Sequence, residues 1–123
     1  MLPLNLRIRQ ATLSDAPLLA QYNLQLALET EDLRLDPATV NQGVRAVLQD
    51  PAKGIYYVVE AEGAVVGQLM ITYEWSDWRN GQIWWIQSVY VLPDFRGRGV
   101  FTALFRHIES LARGQREVCS LRL

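Results

Sequence analysis

Between Val89 and Phe101 the chain reads VYVLPDFRGRGVF, and these residue types can together hold an anion. Gly97 and Gly99 let the backbone turn and keep Cβ atoms out of a ligand's path. Arg96 and Arg98 add positive charge, and the apolar residues after them open a helix. A helix N-terminus leaves up to four backbone N–H groups without intrahelical partners and carries the positive end of the helix dipole, so phosphate groups settle there. The spacing is neither GxxxxGK followed by Ser or Thr nor the full GxGxxG, which argues against the usual nucleoside triphosphate and dinucleotide sites. Taken alone, the residues suit an anion cradle and a glycine-rich turn with two solvated arginines equally well.

Other chemistry is sparser. In TYEWSDWRNG, residues 72–81, Glu74 closes a strand beside Trp75 and Asp77 follows in the loop. Both are expected at the same end of the sheet as the glycine motif. Glu74 is the first candidate for a general base, provided that burial against tryptophan raises its pKa; otherwise it is a solvated strand-end carboxylate. Glu29, Glu31 and Asp32 form an acidic cluster, either a solvated patch or one that could favour a cationic ligand. Trp75, Trp78, Trp84 and Trp85 fall within eleven residues; at least two are expected in the core, and the rest could wall a pocket. His107 has no partner at ligand spacing and reads as structural or solvent-facing. Cys119 is the single cysteine, so neither an internal disulfide nor a cysteine metal site is available and a buried inert thiol is expected. No metal is implied.

These residues must be positioned by a regular succession of elements. Leu4, Leu6 and Ile8 alternate with polar residues, as in a strand. Ser14, Asp15 and Pro17 open a helix carrying Leu18, Leu19, Tyr22, Leu26 and Leu28, and Asp36-Pro37 opens a second that stops at Asp50-Pro51. Ile55–Val59 and Ala64–Tyr73 read as strands joined by Glu62-Gly63. Asn80-Gly81 turns the chain into the long strand Ile83–Val91, which Pro93 ends. Phe101, Leu104, Phe105, Ile108 and Leu111 trace one face of a helix over Gly99–Arg113, and Val118–Leu123 is a last strand. The order β-α-α-β-β-β-α-β describes a mixed α/β (α+β) domain with a mostly antiparallel central sheet and one parallel crossover through the last helix.

With 123 residues, half of them hydrophobic, the chain fits a single domain spanning 1–123. Its 12 Lys and Arg against 13 Asp and Glu lack the basic excess that favours nucleic acid. No apolar leader or membrane span is apparent, and the expected location is the cytoplasm.

Ile86, Val89, Val91, Pro93, Phe95 and the run from Arg96 to Phe101 resemble the acetyl-CoA motif of the GNAT superfamily of N-acetyltransferases: Arg or Gln, two residues, Gly, one residue, then Gly or Ala. The element order resembles that family over nearly the whole chain, and implies an acyl-CoA N-acyltransferase-like fold. The resemblance implies that acetyl-CoA is the co-substrate, its pyrophosphate held by main-chain amides of Arg96, Gly97, Arg98, Gly99, Val100 and Phe101. It further implies that Val89 and Val91 pair with the acetyl carbonyl and the pantetheine arm as if the cofactor were an added strand. The acceptor would be a primary amine of a small molecule or peptide. An amine of pKa about 10.4 costs about 4 to 5 kcal/mol to neutralise at pH 7, so a base or water chain is required. The amide of Val89 would stabilise the oxyanion, and direct transfer in a ternary complex needs no acyl-enzyme.

Two departures stand out. Phe101 replaces the usual small residue; its N–H survives, and the ring is expected to turn into the core beside Phe105. In the family a further helix, often with a tyrosine that protonates the leaving thiolate, and a β-hairpin follow the strand that ends this chain. The domain is therefore expected to be incomplete at its C-terminus, with an open sheet edge that a second copy could cover. A non-catalytic acyl-CoA-binding domain, and a fragment or interaction module completed by a partner chain, are the alternatives.

Overall fold

The computed structural model describes residues 4–123. Its element order matches the sequence expectation: β1 (Leu6–Gln10), α1 (Ala16–Glu31), α2 (Pro37–Gln49), β2 (Ile55–Ala61), β3 (Ala64–Ser76), β4 (Gly81–Val91), α3 (Val100–Arg113) and β5 (Val118–Arg122). The local signals act as read. Pro17 lies in the first turn of α1, and Asp36 caps α2 by accepting the Thr39 amide at 3.1 Å. Arg9 ties β1 to the start of α1 through two bonds to the Asp15 carboxylate, at 2.8 and 3.0 Å. Glu62 and Gly63 both take positive φ, 54° and 79°, the geometry whose twist suits a two-residue hairpin.

The five strands stand in chain order across one sheet, β1-β2-β3-β4-β5. The first three pairings are antiparallel and β4–β5 is parallel. Side chains alternate between the two faces. On one face Val59, Leu69, Ile71, Trp84 and Ile86 meet Val100, Leu104 and Ile108 of α3. On the other, Tyr56 and Val58 meet Ala16, Leu19 and Ala20 of α1 and Val44 of α2. Of the tryptophans only Trp84 enters the core: Trp85 points to the opposite face, and Trp75 and Trp78 are 59% and 95% exposed at the β3–β4 hairpin. Alternation along a strand forbids neighbours such as Trp84 and Trp85 from sharing a face, so the expected pair is not found.

Gly67 is a packing glycine. A Cβ there would lie 2.9 Å from Val59 Cγ1, 3.2 Å from the Tyr90 carbonyl and 3.3 Å from Val100 Cγ1. Its bareness lets the first turn of α3 sit directly on the sheet at the β4 end that feeds it.

Candidate active site

β4 does two unusual things near its end. First, it parts from β5, which pairs only with residues 82–85. The β5 side of residues 86–91 carries no strand. Second, it bulges: against β3, Gln68 pairs with Tyr90 while Met70 pairs with Gln87, so two steps on β3 span three on β4. The extra residue lies at Ser88, whose φ is +54°, a region costly for a non-glycine residue and common at functional sites. Beyond the bulge the ladder resumes, and the Leu92 amide donates to Val66 at 2.9 Å. By the two-residue period, the amides of Val91 and Val89 point the other way, toward the gap left by β5.

The chain then enters α3 through Gly97 and Gly99, at φ 70° and 82°. Positive φ is the reason both are glycine; a Cβ at either would meet only open space. Among the described residues, no oxygen accepts from the amides of Gly97, Arg98, Gly99, Val100, Phe101 or Thr102. The first intrahelical bond is Ala103 to the Gly99 carbonyl. The Arg96 amide is an exception to the expected row: it is spent on the Pro93 carbonyl at 3.3 Å. The row of free amides thus begins at residue 97.

Arg96 contributes its side chain to the protein itself. Nε donates to the Val91 carbonyl at 2.8 Å and Nη2 to Glu29 at 2.7 Å, while the guanidinium lies 5.4 Å from the Tyr90 ring centre. The other Glu29 oxygen accepts the Tyr90 hydroxyl at 2.7 Å. Bonds from Tyr90 and Arg96 hold the Glu29 carboxyl below the usual range. Burial, helped by that carboxylate, pushes the Tyr90 phenol up to about 12. Arg98 lies over Phe95, at 5.4 Å.

Cavities connect these parts. One of about 220 Å³ is lined by Val91, Phe95, Arg96, Gly97 and the run from Gly99 to Thr102. A second, about 400 Å³, continues along Val89, Tyr90 and Val91 against Leu26, Glu29 and Thr30 of α1. A third, about 490 Å³, opens between α1 and α2; Leu26, Val40, Val44, Val47 and Met70 make it largely apolar, and it reaches Ser88. The bulge therefore stands between a groove lined with amides and an apolar chamber. Phe101 lies 6.0 Å from Phe105, as expected, yet it also lines the loop cavity instead of joining the buried core.

Glu74 does not come to this place. It pairs with Ile83, and its Oε1 accepts the Trp85 indole N–H at 2.8 Å. Trp85 is four residues before Val89, about 13 Å along a strand. Because β3 and β4 are antiparallel, the end of β3 lies beside the beginning of β4, at the end of the pair remote from the motif. The expectation that Glu74 and Asp77 share the motif's end of the sheet is corrected accordingly. Sequence reasoning also missed Gln68, Asn23, Tyr56 and Ser88, which form a bonded group under the bulge. A glutamine within the apolar run VVGQLMI was the available signal. Among the described residues no metal-binding cluster occurs, and no helix is long and apolar enough to cross a membrane.

A sheet that parts beside a bulge, with an amide-lined helix mouth at its end, is the architecture of the acyl-CoA N-acyltransferase fold. The chain belongs to the acetyltransferase (GNAT) family, whose sequence profile matches residues 19–123. A possible acetyltransferase from Clostridium difficile 630 superposes with a TM-score of 0.90 at 43% identity, over 96% of this chain and 78% of that one. The ribosomal-protein-alanine N-acetyltransferase of Brucella melitensis biovar Abortus 2308 shares the fold at TM-score 0.78 and 21% identity, over 97% and 79% of the two chains. So does a predicted acetyltransferase with acetyl-CoA from Clostridium acetobutylicum, at 0.76 and 16%, over 97% and 80%. No curated protein matches the chain.

Proposed function

We propose that this domain transfers the acetyl group of acetyl-CoA to a primary amine. The row of unpartnered amides from Gly97 to Thr102, opening on a groove that runs on past Val91 to Val89, carries this reading. Acetyl-CoA would supply an activated thioester. The amides of residues 97–102 would hold its diphosphate, with the α3 dipole adding to the attraction. Val91 and Val89 would take up the pantetheine arm and the acetyl oxygen along the open side of β4. The Val89 N–H, fixed before the reaction, would meet negative charge as it grows on that oxygen.

The acceptor would enter through the chamber between α1 and α2, which touches the bulge at Ser88. Its apolar wall favours an amine on an apolar body, and Glu31 on its lining favours the ammonium form on approach. Glu29 is a poor proton acceptor because its bonds to Tyr90 and Arg96 lower its basicity. The amine's proton would leave through water in the chamber, with Glu74 reachable only along such a chain. Nothing in this scheme requires Cys119.

Titration calorimetry with acetyl-CoA and a thiol-release assay over amines of graded hydrophobicity test the proposal together. Binding, followed by release that depends on an amine and improves with an apolar substituent, is the expected result. Binding without release for any amine would assign the domain to acyl-CoA binding alone. No binding at millimolar acetyl-CoA would leave the loop as a surface turn.

A further inference from the structure

Gln68 is fully buried in the middle of β3. Both hydrogens of its Nε2 are used: one goes to Asn23 Oδ1 at 2.9 Å and the other to the Ser88 carbonyl at 2.9 Å. Asn23 is fixed in turn by donating to the Tyr56 hydroxyl at 2.9 Å. Gln68 Oε1, by contrast, has no hydrogen-bond partner among the described residues. A buried acceptor left unmade costs about 1–3 kcal/mol. A leucine would remove that orphan acceptor but would strip the Asn23 and Ser88 oxygens of their donor, so the amide is kept for its hold on these two groups.

The Ser88 carbonyl and the Val89 N–H belong to one peptide plane. In a trans peptide they point in opposite directions, and the chain has no cis bond. A donor that grips the Ser88 oxygen from the β3 side therefore aims the Val89 hydrogen away from β3, into the gap beside β4. This plane needs a grip, because Ser88 holds φ at +54°, a conformation that persists only where its surroundings enforce it. Donation to a carbonyl also polarises its peptide group and strengthens the N–H as a donor.

From this we infer that Gln68 is a positioning residue for acetyl transfer: it locks the Ser88–Val89 peptide so that the Val89 amide is aimed at the acetyl oxygen, with Asn23 and Tyr56 bracing it. The inference rests on the transferase reading above, and its test separates the two. In nitrogen-15-labelled protein, the Val89 amide proton is followed as acetyl-CoA or CoA is added. Wild-type protein should show a Val89 shift with acetyl-CoA that CoA does not reproduce. In Gln68→Leu that acetyl-specific shift should fall by at least half, and kcat should drop about 10- to 100-fold, a partial version of losing an oxyanion donor. KM for acetyl-CoA should change by less than about threefold, since the diphosphate cradle is untouched. If Gln68→Leu does not fold, Asn23→Ala carries the same test, with a smaller loss expected in the same direction.

A folded Gln68→Leu, or failing that Asn23→Ala, that keeps both the acetyl-specific shift and kcat overturns the inference and leaves the transferase reading standing. Absence of any acetyl-specific shift at Val89 in wild-type protein overturns both.

Discussion

Gly99 sits at φ 82° immediately before α3, with open space where a side chain would project. A β-branched residue there has no neighbour to strike, yet it must adopt a left-handed backbone costing roughly 1–2 kcal/mol, and its methyl groups would fill the approach to the amides. Gly99→Val should therefore weaken acetyl-CoA binding at least tenfold by calorimetry while the protein remains folded by circular dichroism. An unchanged affinity would mean that the cradle is not used. The remote carboxylate gives the opposite expectation. Glu74 is turned toward the Trp85 indole, about four residues from Val89, and Glu74→Gln should alter kcat by less than about threefold, against the 10²- to 10⁴-fold loss of a general base. A loss of that size would restore it to the role. Residue types announced the loop well, because glycines at two turns and arginines beside them leave few other uses. They could not announce Ser88, since serine carries no mark of positive φ as glycine or asparagine does. An apolar run marked Gln68 as unusual but could not give its two partners, 45 and 20 residues away in the chain.

At the scale of elements, the contact between β3, β4 and the start of α3 decides where the cradle stands. Gly67 is its tightest point, and Gly67→Ala would force a methyl to within 2.9 Å of Val59 Cγ1 and 3.2 Å of the Tyr90 carbonyl. Overpacking of this kind costs about 1–3 kcal/mol, so the melting temperature should fall by several degrees. A variant as stable as the parent would show that α3 can ride higher on the sheet. The α-helices and strands were legible in the sequence, because caps, prolines, hairpin dipeptides and periodicity act locally; the 3-10 turns at Leu13–Asp15 and Pro93–Phe95 were not. The parting of β4 from β5 was not. It depends on where a parallel partner stops pairing, and neither strand carries a residue that dictates it. The direction of Glu74 was misjudged for a related reason: antiparallel strands exchange their ends, and the strand end nearest in sequence to a turn is not the one nearest the motif.

For the molecule as a whole, two carboxylates join distant parts of the chain. Asp15 is held below its ordinary pKa mainly by its bonds from Arg9, and Glu29 by those from Tyr90 and Arg96. A carboxyl with a lowered folded pKa stabilises the native state above its unfolded value, near 4, and loses that contribution as the pH falls through the folded value. Thermal melts should therefore be flat for these groups between pH 5 and 8 and decline below about pH 4. Arg9→Gln should flatten part of the decline by removing the cause of the Asp15 shift. A curve that instead fell from neutrality would point to a group other than these.

The guanidinium laid across the end of β4 has an effect beyond joining loop to helix. By occupying the Val91 carbonyl, Arg96 leaves residue 91 able to give a hydrogen bond and poorly able to receive one. A stray polypeptide edge, which must do both in turn, finds that rung blocked. One acceptor of the bare rim is thereby withheld from edge-to-edge pairing, while the Val91 amide beside it stays free to donate.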